Sequence, residues 1–255
     1  MKGYFLFFFL SCFQLLIALP KEALDKIGEK IWYNECAHSI EGLTHWKEGE
    51  NFASLGIGHF IWYPCDHPKI FQETFPNLIC FLKDHHVLLP YWLEQTLTCP
   101  WNCREEFYAD FHSSTMQDLR DLLFETRHLQ TLFILERLES SLTTILDILP
   151  SHSQEHICSL FLRLKEDQQG LYALVDYVNF KGLGTHPSET YQGKGWGLLQ
   201  VLQNMSAEPK NLIFEFVETA KQILIQRVLN APAERQEEKW LKGWLNRLDT
   251  YLESF

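Results

Sequence analysis

Residues 35–63, ECAHSIEGLTHWKEGENFASLGIGHFIWY, constrain this chain more than any other stretch. Gly56 and Gly58 interrupt a run of apolar and aromatic residues. The segment therefore reads as a helix end, a polar loop and a glycine-punctuated hairpin. A glycine carries no Cβ, so a chain with two of them flanking Ile57 can pass unusually close to a helix or a ligand. Upstream, Leu24, Ile27 and Ile31 fall at helical spacing, and Glu35 continues the Ile27–Ile31 row. Its carboxyl is expected to point along the buried face. Desolvation favours the neutral form of a carboxyl group, which is the state that can donate a proton near neutral pH.

The hairpin carries further acids, Glu41, Glu48 and Glu50, and a hydroxyl at Ser54. A second carboxylate opposite a proton donor stabilises a cationic transition state or activates water, and a hydroxyl can hold that water. Glu35, Glu48, Ser54 and the run Gly56-Ile57-Gly58-His59 resemble the start of phage-type lysozymes. In that family the first helix ends in a catalytic Glu and leads into a hairpin with Asp and Thr before Gly-Ile-Gly-His. The match covers about thirty residues, with Glu and Ser in place of Asp and Thr. It implies an α+β, predominantly helical, lysozyme-like fold with a small β-hairpin next to the active-site helix. It also implies Glu35 as general acid, with Glu48 and Ser54 completing the catalytic set. Twelve positions separate Glu35 from Glu48 where the family has eight, so Glu41 and Glu50 stay open as alternatives for the second carboxylate. His59 is expected to hydrogen-bond behind Glu35.

A second constellation occupies residues 179–205. Tyr191-Gln192-Gly193-Lys194-Gly195 with Gln200 is similar to the Tyr-x-Gly-Arg-Gly…Gln segment of plant-type chitinases, which share the lysozyme-like core. Aromatic rings stack on pyranose faces, and amide or ammonium groups bond sugar hydroxyls. Asn179, Glu189, Tyr191, Gln192, Lys194 and Gln200 are the expected substrate-binding residues. The alternative reading is an ordinary helix start, with Trp196, Leu198, Leu199 and Leu202 in the core and Gln200 in solvent.

The remaining chain is mainly helical in pattern. Helices are expected at about 114–127, capped by Ser114, and at about 128–148, 153–165, 168–181, 195–204, 209–230 and 234–253. Trp240, Trp244 and Leu245 are spaced for core packing. Residues 64–111, dense in Pro, Trp and Cys, read as an irregular insertion beside the cleft.

With 255 residues and 46% apolar content, one sizeable core is expected, hence a single domain over residues 20–255. Residues 1–19, MKGYFLFFFLSCFQLLIAL, have the pattern of a secretory signal peptide, which implies a secreted or periplasmic protein. No later segment is apolar for long enough to span a bilayer. Six cysteines follow that segment, and in an oxidising compartment Cys99 with Cys103 and Cys36 with Cys65 are candidate pairs, free thiols being the alternative. No zinc-type spacing occurs among the Cys and His residues, so neither a metal nor another cofactor is expected. A net charge of −11 argues against nucleic acid as a partner and against wholesale attack on anionic walls. The expectation is an exported glycoside hydrolase cleaving β-1,4 bonds in an N-acetylglucosamine-containing polymer, with peptidoglycan or a chitin-like glycan as partner. The alternative is a non-catalytic glycan- or wall-binding envelope protein.

Overall fold

The computed structural model describes residues 21–253, and the expected signal segment lies outside them. The described chain is predominantly helical with two small antiparallel sheets. It divides into two compact units, one up to Ile134 and one from Leu135.

In the first unit, α1 (Lys21–Cys36) buries Ile27, Ile31, Trp32 and Cys36. It stops because Ala37 and His38 both take left-handed backbone, with the Ala37 N–H bonding back to the Tyr33 carbonyl at 2.9 Å. A single 3-10 turn, Glu41–Leu43, leads into a sheet of β1 (Thr44–His45), β2 (Ala53–Leu55) and β3 (Phe60–Trp62). His45 pairs with Ser54, and Ser54 with Ile61, so these three share one face; Thr44, Leu55 and Phe60 share the other. Trp62 anchors the sheet on Phe75 of α2 (Phe75–Asp84), with ring centroids 4.7 Å apart.

The region read as irregular contains that helix and two short ones, α3 (Tyr91–Glu94) and α4 (Arg104–Ala109). The next helix, α5 (Ser114–Glu125), is capped by Ser113, whose hydroxyl accepts from the Met116 N–H at 3.1 Å. The cap is thus one residue earlier than expected. From α5 the buried Arg120 donates to the Thr44 hydroxyl at 2.9 Å and the Phe111 carbonyl at 2.8 Å, tying helix to sheet.

The boundary between the units falls within α6 (Arg127–Asp147). The second unit continues with α7 (Ser151–Glu166), α8 (Gln168–Lys181), the hairpin β4 (Thr190–Tyr191) and β5 (Lys194–Gly195), α9 (Leu198–Asn204), α10 (Leu212–Asn230) and α11 (Glu238–Asp249). Asp167 caps α8 by accepting from the Gly170 N–H. Fully buried Asp176 on α8 receives two hydrogen bonds from Arg247 at 2.8 Å and one from the Tyr251 hydroxyl at 2.6 Å. A buried carboxylate needs such partners. Trp196, Leu198, Leu199 and Leu202 are buried as expected. Trp240 is not: it is 50% exposed. Trp244 is half-buried, its ring 3.3 Å from the Lys181 ammonium, and Leu248 and Tyr251 fill the core instead. Helical spacing alone does not say which of two opposed faces meets the core.

Candidate functional site

The Gly56–His59 turn is built around a glutamine on α6. The Gln130 carbonyl accepts from the Ile57 N–H at 2.9 Å, and its amide donates to the Leu123 carbonyl at 2.6 Å and the Thr126 hydroxyl at 3.0 Å. Gly56 has φ +72°, and a Cβ there would lie 2.4 Å from the Gln130 oxygen. A Cβ on Gly58 would lie 2.8 Å from the Phe60 ring. Both glycines therefore answer to close approach, and Gly56 also to a backbone that other residues adopt at a cost.

This turn delivers His59, itself at φ +47°, to the end of α1. His59 Nδ1 stands 3.1 Å from Glu35 Oε2, where the side chains are 25% and 13% exposed. His59 Nε2 stands 3.8 Å from Cys36 Sγ. Burial alone would lower the imidazole pKa, but the contacts with Cys36 and Glu35 outweigh it and raise it to about 10. At neutral pH the ring is an imidazolium facing the Glu35 carboxylate. Glu35 lies at a shielded helix end, as its spacing from Ile31 implies, with His59 behind it. It is not the lone neutral acid that burial by itself would make, but half of an ion pair.

The three rival acids separate clearly. Glu48 sits exposed in the Glu48-Gly49 turn between β1 and β2. Glu41 is exposed in the 3-10 turn, close enough to Arg120 to oppose that guanidinium's desolvation. Glu50 has only 27% of its side chain exposed, and its backbone carbonyl accepts from the indole of buried Trp46 at 2.8 Å. Burial pushes the Glu50 carboxyl above the usual range against the pull of Lys47, 3.6 Å away, and of His59. Glu50 is the least exposed of the three, and it lies within the field of His59.

Ser54 is buried on β2, directly across from His45. His45 was not singled out from the sequence. Its ring stacks on His59 with centroids 6.1 Å apart, and its Nδ1 lies 3.4 Å from the Tyr108 hydroxyl. Burial, then His59, Arg104 and Lys47, lower its pKa, so it is neutral at pH 7. What puts residue 45 on the same face as Ser54 is the cross-strand register, which the strand period alone does not fix. Cys36 and Cys65, offered as a possible pair, are both free thiols, as are Cys99 and Cys103. Cys36 is buried against His59, and Cys65 is exposed.

In the second unit the expected substrate-binding residues are largely engaged within the fold. The Gln200 carbonyl accepts from the Gly197 N–H at 2.9 Å and its amide donates to the Gly184 carbonyl at 3.0 Å. The Tyr191 hydroxyl donates to Glu237 at 3.0 Å, and Arg227 grips the same carboxylate through two bonds at 2.8 and 2.7 Å. The Arg227 guanidinium also lies 4.1 Å over the Trp196 ring. Glu189 accepts from the His186 N–H at 3.4 Å. Gln192, in the β4–β5 turn, is exposed and donates to the Asn230 carbonyl at 3.2 Å. Lys194 is exposed on β5, and Asn179 is half-buried near the end of α8. The Gln200 contacts differ from both sequence readings: the side chain is neither solvated nor displayed, but closes a turn between two glycines.

No family model, curated protein or solved structure matches this chain.

Proposed function

We propose that this protein is an exported, lysozyme-like glycoside hydrolase that cleaves β-1,4 bonds in an N-acetylglucosamine-containing polymer. Peptidoglycan is the substrate that its likeness to phage-type lysozymes implies. The observation that carries the reading is the Glu35–His59 contact between the end of α1 and the turn before β3, with half-buried Glu50 in the field of the same imidazolium. Among the described residues no helix is long and apolar enough to cross a membrane.

Glu35 and His59 together hold one proton. In the free protein it resides on the imidazole. A sugar laid over the pair removes the water that stabilises two opposite charges, which favours the neutral arrangement with the proton on Glu35. Glu35 then protonates the glycosidic oxygen as the C1–O bond breaks. Glu50, rather than exposed Glu48, supports the developing cation or activates water, with the Ser54 hydroxyl holding that water. The water's oxygen joins C1, and its proton leaves through the carboxylate.

A second reading, glycan binding without turnover, draws on the same ion pair, because a carboxylate without its proton cannot act as an acid. One experiment separates the two. Mature wild-type protein and Glu35→Gln are incubated with purified peptidoglycan and with chitin oligomers, and released fragments are identified by mass spectrometry. Cleavage by the wild type alone supports the hydrolase. Retained glycan binding with no cleavage by either protein supports the binding reading.

A further inference from the structure

Both ring nitrogens of His59 meet α1: Nδ1 faces Glu35 Oε2 at 3.1 Å, and Nε2 faces Cys36 Sγ at 3.8 Å. The thiol has its own acceptor in the Gly56 carbonyl at 3.9 Å, which leaves the sulfur lone pairs toward the ring. A neutral imidazole carries one N–H and would leave one of its two contacts without a proton, whereas the imidazolium fills both.

Cys36 is held firmly. It is 6% exposed, and Gly42 packs so tightly over it that a Cβ there would lie 2.9 Å from the Cys36 carbonyl oxygen and 3.0 Å from its Cβ. The same carbonyl of Gly56 that receives the thiol also receives the backbone N–H of His59 at 3.2 Å. Thiol, turn and ring thus form one connected arrangement.

We propose that Cys36 is a positioning residue, whose sulfur holds His59 as a donor on both ring nitrogens and so keeps the ring aimed at Glu35 with a proton to supply. The catalytic consequence rests on the glycosidase reading; the Cys36–His59 coupling does not. The other ionisable groups facing His59 are His45 on β1 and Glu50 in the loop that follows, with Lys47 and Arg104 acting on His45. Gln130, from α6, is neutral and holds the turn. Glu35 and Glu50 favour the imidazolium, and His45 is uncharged where His59 titrates, so the sulfur's share is separable only by changing Cys36 alone.

The test is an NMR titration of the His59 ring carbon signal in the full mature protein, for wild type, Cys36→Ser, Cys36→Val and Cys36→Ala. Serine keeps an acceptor beside Nε2; valine and alanine do not, and alanine demands no extra space. The His59 midpoint is expected to fall by about one pH unit or more in Cys36→Ala or Cys36→Val, a tenfold change in the proton equilibrium, and to be largely restored in Cys36→Ser. The basic limb of the pH–rate profile should move down with it, which loss of packing alone would not cause. An unmoved midpoint in a folded variant lacking the acceptor overturns the proposal. If the midpoint moves while the wild type cleaves no glycan, the coupling stands and the glycosidase reading falls.

Discussion

Gln130 in the first unit and Gln200 in the second brace a glycine turn in the same manner, each accepting a backbone N–H with its carbonyl and donating its amide to another carbonyl. What the braced turns carry differs. The first delivers His59 to Glu35, and His59 acts on Glu50, a half-buried acid with a lysine 3.6 Å from its side chain. In the second unit, Tyr191, Glu237 and Arg227 close upon one another, and polar capacity is used up within the fold. The two regions use similar residue types. What separates a candidate reaction site from a scaffold is the electrostatic imbalance left after internal bonds are counted.

The sharpest way to break that comparison is to remove the charges of the first region one at a time. Glu35→Gln should lower glycan cleavage by at least about a hundredfold with little change in fold, since it removes the transferable proton and keeps the shape. Glu50→Gln should cost about tenfold to a hundredfold, and Glu48→Gln almost nothing. A large loss for Glu48 with none for Glu50, read in product-release assays, would reverse the assignment made from burial.

Stability against pH gives the next largest effect. His59 has a folded pKa raised to about 10 over an ordinary value of 6.5. It therefore contributes stability that is fully present below about pH 6.5 and lost as pH rises through about 10, a loss on the order of a few kcal/mol. Urea unfolding from pH 6 to 10 should show this decline in wild type and a flatter curve in His59→Gln. Parallel curves would mean that the ion pair does not favour the imidazolium.

The parts of the site legible from sequence were those governed by local spacing. Glu35 follows from the Ile27–Ile31 row, and the hairpin from Gly56 and Gly58. The α8 helix is recovered with its bounds, because its period is regular and Asp167 and Gly182 punctuate it. Glu50 over Glu48 was not legible. That choice depends on Trp46, whose buried indole holds the Glu50 carbonyl and turns the loop inward, a contact without any periodic trace. The Gln130 brace was equally hidden, since 73 positions separate it from Ile57. The cysteine pairs failed because even numbers permit bridges without placing any two sulfurs together.

Gln130→Ala should destabilise the protein by about 2–3 kcal/mol, because it leaves a buried N–H and a buried carbonyl unmet. Activity should fall with it as His59 loses its support. Gln200→Ala, at a half-buried position, should cost about 1–2 kcal/mol in thermal unfolding and leave glycan affinity unchanged. Affinity lost without stability would return Gln200 to the substrate-binding set and erase the contrast between the units.

Tyr191→Phe is the smallest and most discriminating change. The ring stays against Trp196, with centroids 4.6 Å apart, and only the hydroxyl bonded to Glu237 is removed. Arg227 still satisfies that carboxylate through two bonds, so the expected cost is about 1 kcal/mol. If the hydroxyl serves the fold, glycan binding measured by calorimetry should match wild type and only unfolding should shift. A weaker binding isotherm with an unshifted unfolding midpoint would mean that the hydroxyl exchanges Glu237 for a sugar, and that the closure of this cluster is a resting state of a binding surface.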